Sequence, residues 1–301
     1  MLNRISIIIP TYNSSVGLNS TLSSIALQVD SSDIEKEVIV VDNNSTDNTK
    51  EIALQYEGKF EKLIYVNEKK QGSYAARNLG IKYASGDLIC FLDADVEVES
   101  LFINKIVDSF CIGDVDYAGV NVSMKRSDRT LAADYDALTS FDVKRNLENG
   151  RYSPTLCLII RPNVLKQVGN FDDRLESGGD VVFGKKTFEA GLKQVYLKHV
   201  EVTHPTRNSL KALLKKAKRV GRGYATHMYY YPHYFNHVEK FFKSYKFYLP
   251  NNPIKLYNRN IEKKYDIGFL RCVIVSFVSV ALSVTYLNSY QEQKRILGIK
   301  N

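Results

Sequence analysis

Cysteine is sparse: Cys90, Cys111, Cys157 and Cys272 lie far apart in 301 residues, with no C-x-x-C pair. That spacing excludes the disulfide framework of a small secreted protein and implies reduced, structural thiols in a cytosolic setting. No leader is expected either. Met1–Arg4 run straight into Ile5–Ile9, an apolar stretch too short for a signal peptide and closed by Pro10. Neither G-x-G-x-x-G after the first apolar run nor G-x-x-x-x-G-K-[ST] anywhere is present, which excludes the dinucleotide fingerprint and the P-loop. Internal repeats and low-complexity linkers are also missing. Acidic residues are scarce in one place only. Residues 201–301 hold 5 Asp+Glu against 18 Lys+Arg, a net of +13, whereas residues 1–200 carry a net of −5. The overall charge of +8 therefore hides an acidic first two-thirds joined to a basic last third.

The composition, 44% hydrophobic and 25% charged, is that of a globular chain long enough to bury a sizeable core. Ile5–Ile9, Glu37–Val41, Leu63–Val66 and Leu88–Leu92 are short β-branched or apolar runs of the kind strands buried on both faces require. Helical patterns separate them. One runs from Val16 to Val29, and a second is capped at Ser45-Thr46 and runs to Gln55. A third, Tyr74–Ala84, is capped by Ser73, with Gly86 at its left-handed terminus. This alternation predicts an α/β fold with right-handed βαβ units and a mostly parallel sheet. Residues 115–198 mix strands and helices less regularly. The composition shifts near residue 205, so a domain over 1–205 and a mainly helical region over 206–301 are expected.

In open parallel sheets, ligands bind beyond the carboxyl ends of the strands. Asp42 and Asp93 fall at such ends. Asp93 and Asp95, flanking Ala94, project to one side of extended backbone and suit a hard cation, Mg²⁺ or Mn²⁺. A solvated acidic turn is the competing reading for this pair alone.

Four motifs occur in order: Ile7–Asn13 (IIIPTYN), Val40–Thr49 (VVDNNSTDNT), Gln71–Gly80 (QGSYAARNLG) and Gly86–Asp95 (GDLICFLDAD). Together with the later Gly169–Asp180 (GNFDDRLESGGD), they resemble glycosyltransferase family 2, whose catalytic domain has the GT-A (Rossmann-like) fold. The likeness covers roughly residues 3–205. It implies an inverting transfer of a sugar from a nucleoside diphosphate donor, UDP-linked by implication, to a hydroxyl of a glycan or lipid-linked acceptor. It places Pro10, Thr11, Tyr12, Asp42, Asn44, Arg77, Asp93 and Ala94 around the nucleotide-sugar. Asp93 and Asp95 become the metal carboxylates, with Asp95 the direct ligand, and His204 stands near metal and diphosphate. Asp180 matches the general base, with Glu176 as the fallback. One departure stands out: the acid that precedes the base in the family pattern is Gly179 here. A nucleotide-sugar-binding protein without catalysis is the alternative that this departure raises.

Past His204, Lys211, Lys215, Lys218 and Arg222 form a basic stripe on the predicted helix Leu210–Arg222, backed by Leu210, Leu213, Leu214 and Ala217. Residues 224–248 hold 11 Tyr or Phe in 25 positions, interleaved with lysines. Basic helices with interfacial aromatics suit an anionic bilayer surface on the cytoplasmic side. The competing reading is a solvated basic face over an aromatic core. No recognised nucleic-acid module accompanies the basic residues, so a nucleic-acid partner is not expected. His227, His233 and His237 have no acidic or Cys ligand beside them, which argues against zinc. Phe269–Leu287 is the most apolar stretch, but Arg271 interrupts it. Ser276, Ser279, Ser283, Tyr286 and Tyr290 form a polar stripe on it, suited to a neighbouring helix or a partner subunit, including a second copy of the chain. Lys263/Lys264 and Lys294/Arg295 flank it without positive-inside asymmetry.

Overall fold

The computed structural model describes residues 2–28 and 34–299. Among these residues eight strands form one mixed sheet: β1 (Arg4–Thr11), β2 (Glu35–Asp42), β3 (Lys62–Asn67), β4 (Leu88–Leu92), β5 (Glu97–Val98), β6 (Tyr117–Lys125), β7 (Cys157–Ile160) and β8 (Gln194–Pro205). Their order is β3-β2-β1-β4-β7-β6-β8-β5. The half β3-β2-β1-β4 is parallel, with Ile8 opposite Ile39 and Phe91. From β4 outward the described pairings β4–β7, β7–β6 and β8–β5 are antiparallel. Ile5, Ile7, Ile8 and Ile9 are fully buried, as are Val38 to Val41, because helices cover both faces of the parallel half.

Several local expectations are corrected. The helix after β1 is Ser15–Ala26; Val29, its expected end, lies outside the described residues. Ser45 and Thr46 do not cap the next helix, which is Thr49–Leu54. They are spent on the strand-end loop instead. The Ser45 amide donates to Asp42 Oδ1 (2.9 Å), Ser45 Oγ accepts from the Asn13 amide (2.8 Å), and the Thr46 amide donates to Asn13 Oδ1 (2.7 Å). Ser73 is the first residue of helix Ser73–Tyr83 rather than its cap, and Gly72 precedes it with φ of 129°. That helix closes at Ala84 in extended backbone. Gly86 is not left-handed; it is glycine because a Cβ there would sit 2.6 Å from the Ser6 amide nitrogen.

The chain divides into two compact units. The first takes Met1–Ser123, Asp142–Arg174 and Gly179–His204, and holds the sheet core and the strand ends. The second takes Met124–Phe141, Leu175–Gly178 and Pro205–Asn301.

Two buried aspartates on the second unit's helix Leu131–Thr139 organise that unit. Asp134 accepts from Arg126 Nη1 (2.6 Å) and from Arg271 Nε. Asp136 accepts from the Arg207 amide (2.9 Å), Arg207 Nη1 (3.2 Å), Lys216 Nζ (3.3 Å) and Ser140 Oγ (2.7 Å). Burial alone would raise the Asp136 carboxyl, but Lys216 and Arg207 outweigh it and hold the pKa below the ordinary value.

The predicted basic helix spans Leu210–Tyr230. Lys211, Lys215 and Lys218 are exposed, while Arg222 is paired with Glu176, Nε to Oε2 at 2.9 Å. The aromatic segment is partly core. Phe242 packs on Tyr290 with ring centroids 4.6 Å apart, yet Tyr245 and Tyr229 face outward.

The apolar stretch forms helices Phe269–Ser276 and Val278–Ile296, broken at Phe277. Its polar stripe packs on the same chain. Ser283 Oγ donates to the Phe247 carbonyl (2.7 Å), and Ser279 Oγ accepts from the Asn251 amide (3.0 Å). Its apolar residues divide: Cys272, Val275 and Leu282 are buried, whereas Leu270, Ile274, Phe277 and Val284 are 74%, 49%, 59% and 51% exposed.

Of the three histidines, His227 is buried, stacks on Phe235 and shares a 2.7 Å hydrogen bond with the Ser177 carbonyl through Nε2. Burial drives its pKa down to about 4. Both states are neutral above pH 6.5, and below it only the unfolded chain takes up the proton. Stability therefore falls between pH 6.5 and 4. From pH 7.5 to 5 this residue is expected to cost about 2 kcal/mol. Urea titrations at the two pH values check it, and His227→Gln should flatten that part of the dependence.

Candidate active site

β2, β1 and β4 lie side by side and end together, bringing Asp42, Thr11 and Asp93 to one edge of the sheet. Thr11 and Asp42 are direct register partners. Asp42 is buried, and its two oxygens are held apart in function. Oδ1 takes the Ser45 amide, and Oδ2 takes the Tyr65 hydroxyl at 2.6 Å. Burial and then the Asp42 charge push the Tyr65 hydroxyl upward, so it stays a donor. Thr11 Oγ1 is buried with no protein partner, a polar atom left for something else to satisfy.

The neighbouring loops are laced together by asparagines. Asn43 Nδ2 donates to the Glu68 (2.8 Å) and Lys70 (2.7 Å) carbonyls, and its Oδ1 takes the Gly72 amide (2.7 Å). Asn44, at φ of 64°, donates to the Lys69 carbonyl (2.9 Å). Much of the Asn/Ser/Asp-rich motif thus builds the rim. Pro10 is the penultimate residue of β1, and Tyr12 is 55% exposed just beyond it.

Arg77 projects from helix Ser73–Tyr83 and is buried. Nη2 is in an ion pair with Asp93, Nη1 donates to the Ser73 carbonyl (3.3 Å), and Nε has no protein partner. The pairing holds the guanidinium at the strand-end edge, where it can also meet a phosphate. After Asp93 the chain turns through buried Ala94, with the Val96 amide donating to the Asp93 carbonyl (3.2 Å). Asp95 follows, and its Oδ1 lies 3.6 Å from Nε2 of the buried His204.

Among the described residues no three His, Cys, Asp or Glu side chains group closely enough to hold a metal alone. Asp93 Oδ1 is in the ion pair with Arg77. Asp95 and His204 nonetheless offer an oxygen and a nitrogen close together. That pair fits a Mg²⁺ or Mn²⁺ ion whose remaining ligands are water and substrate phosphate.

Asp180 lies in the first turn of helix Gly179–Glu189. Its Oδ1 accepts from the Val181 amide (3.0 Å) and the Tyr74 hydroxyl (3.3 Å). Tyr74 in turn stacks on Phe171, which packs on Phe91 and Phe183, with centroids 5.7, 5.1 and 4.4 Å apart. Burial raises the Asp180 carboxyl above the ordinary value, against the pull of the Arg77 charge and the hydrogen bonds. A carboxylate so raised is a better proton acceptor. Glu176, the fallback, belongs to the second unit and is taken by Arg222. Tyr65 and Tyr74 were not among the expected site residues. Tyr74 carried a usable signal, since it stands three residues before Arg77 on the same helix face.

A family model described as glycosyl transferase family 2 matches residues 6–164. The chain is 36% identical over 221 residues to "Glycosyltransferase AglE" of Haloferax volcanii, covering 73% of this chain and 72% of that one. It is 38% identical over 91 residues to "UDP-Glc:alpha-D-GlcNAc-diphosphoundecaprenol beta-1,3-glucosyltransferase WfgD" of Escherichia coli, covering 30% of this chain and 34% of that one. Among solved structures, a mannosyltransferase from Pyrobaculum calidifontis in complex with GDP-Man and Mn²⁺ has a TM-score of 0.58 at 16% identity, over 99% of this chain and 88% of that one. That likeness shows a shared fold.

Proposed function

The chain belongs to glycosyl transferase family 2, and from that premise we propose that it is an inverting, divalent-metal-dependent transferase acting on a UDP-linked sugar and a lipid-linked or glycan hydroxyl. The observation that carries the chemistry is Asp180: a carboxylate held by the Tyr74 hydroxyl, raised by desolvation, in the same compact unit as the Arg77–Asp93 pair. In this reading Asp42, Thr11 and Asn44 hold the nucleoside beside Pro10 and Tyr12. Asp95 and His204 would hold the cation, which lowers the cost of charge on the departing diphosphate. The acceptor oxygen attacks the anomeric carbon as the bond to the diphosphate breaks. Asp180 takes the hydroxyl proton, and the guanidinium of Arg77 faces the leaving charge. A UDP donor and a diphospho-lipid acceptor are supported by the relative whose name carries both.

The outward apolar face of Leu270, Ile274, Phe277 and Val284 supports membrane association. The opposite side packs inward through Ser279 and Ser283 together with Cys272, Val275 and Leu282, so these helices carry apolar residues on both sides. Phe269–Ile296 is, among the described residues, a helical stretch long and apolar enough by length and composition to cross a bilayer. Exposed lysines on Leu210–Tyr230 add attraction to anionic headgroups.

A donor panel of UDP- and GDP-sugars with Mn²⁺ tests the reading, scored by thermal shift and by nucleotide release, alongside sedimentation with anionic and neutral vesicles. One UDP-sugar is expected to stabilise the protein and turn over, and binding is expected to vesicles rich in anionic lipid, weakening with salt. No shift or release with any donor would sink the enzymatic part, and indifference to vesicles of both kinds the membrane part.

A further inference from the structure

Position 179 has no room for a side chain. A Cβ on Gly179 would stand 2.8 Å from Cε2 and Cζ of the Tyr74 ring, so the ring fills the place where a residue there would project. The same ring meets Asp180 twice. The Tyr74 hydroxyl donates to Asp180 Oδ1 and accepts from the Asp180 amide, each at 3.3 Å. The ring is buried, stacks on Phe171 and passes 5.6 Å from the Arg77 guanidinium carbon. A tyrosine held this firmly loses little entropy in keeping its hydroxyl on one acceptor.

We propose that Tyr74 is the positioning residue for the base, locking the Asp180 carboxylate through its hydroxyl in a space that Gly179 leaves open. Tyr74 and Gly179 thus act as a pair: the glycine admits the ring, and the ring replaces whatever a side chain at 179 would contribute to Asp180. The inference rests on Asp180 as base in the proposed transferase. A hydroxyl donating to a carboxylate favours its ionised form, as the Arg77 charge does, while burial opposes both. The titratable groups facing Asp180 are Tyr74 and Arg77 from helix Ser73–Tyr83 and Tyr117 from β6. Tyr117 is fully buried, with its hydroxyl bonded to the Ser153 backbone, and stays neutral.

Tyr74→Phe keeps the ring and removes only the hydroxyl, so the fold is retained. In ¹³C-aspartate-labelled protein without ligands, the Asp180 carboxyl, assigned through Asp180→Asn, is expected to titrate about one pH unit higher in Tyr74→Phe, the equivalent of one charge-assisted hydrogen bond. In turnover, kcat is expected to fall roughly tenfold with KM for the donor unchanged, and the acid limb of the rate profile should move up with the carboxyl. In the Asp180→Asn background Tyr74→Phe should cost nothing further. An unmoved titration in Tyr74→Phe overturns the inference, as does a full extra loss in the double variant. Failure of the reading itself is told apart by the wild-type protein, which would then release nucleotide from no donor whatever the titration shows.

Discussion

Asp180→Asn is expected to lower sugar transfer at least about 10²-fold, the usual cost of losing a general base, while leaving donor affinity intact. The donor contacts proposed for Asp42, Thr11 and Arg77 come from other strand ends and another helix, and none passes through the Asp180 carboxylate. The effect should therefore fall on kcat, with the donor-induced thermal shift preserved. Retained transfer in Asp180→Asn together with loss in Glu176→Gln would hand the base role to Glu176.

The same substitution carries a stability signature of opposite sign. The folded carboxyl of Asp180 sits above its unfolded value of 3.8, so ionised Asp180 costs stability at every pH above that value. An uncharged isostere removes the cost. Asp180→Asn should melt at or above the wild-type temperature at pH 7, with the gap closing as pH falls toward 3.8. A residue kept for packing behaves the other way, losing stability when replaced. Gain of stability with loss of turnover is the mark of a site maintained for chemistry.

How much of this was readable in advance follows from the range of the interactions. β1, β2 and β4 announce themselves because strands buried on both faces need unbroken apolar runs, and their carboxyl ends point to Asp42 and Asp93. Ser45 and Ser73 look like helix caps by local chemistry. Ser45 is claimed by Asn13, 32 residues away, and no sequence window reveals that competition. The contact between Tyr74 and Asp180 spans 106 residues and joins two helices with no shared periodicity. Asp134 and Asp136 look like solvated positions on a short helix. They are buried because partners arrive from Arg207, Lys216 and Arg271, between 71 and 137 residues along the chain.

That lattice sets the largest expected stability effect. Asp136→Ala is expected to cost about 3–5 kcal/mol, the range for removing one member of a buried ion pair. The reason is what remains. Lys216 is itself largely buried, with burial lowering its pKa, and would keep Ser140 Oγ at 2.9 Å and the face of the Phe141 ring but no opposite charge from Asp136. Arg207 would lose both its amide and its guanidinium acceptor. Lys216→Met should cost far less, since Arg207 and Ser140 still satisfy the carboxylate and a methionine fills the same volume. The pH dependence separates this lattice from His227. Asp136 is held below its unfolded value of 3.8, so its stabilisation is present above that pH and disappears as pH falls through the lower folded value. His227 acts earlier, between pH 6.5 and about 4. Denaturant midpoints across pH 3 to 7.5 should show two acid-sensitive windows, with His227→Gln removing the upper and Asp136→Ala lowering the whole curve while flattening its acid end. Equal costs for Asp136→Ala and Lys216→Met would mean that the lattice is solvated and contributes as a surface ion pair does, at about 1 kcal/mol or less.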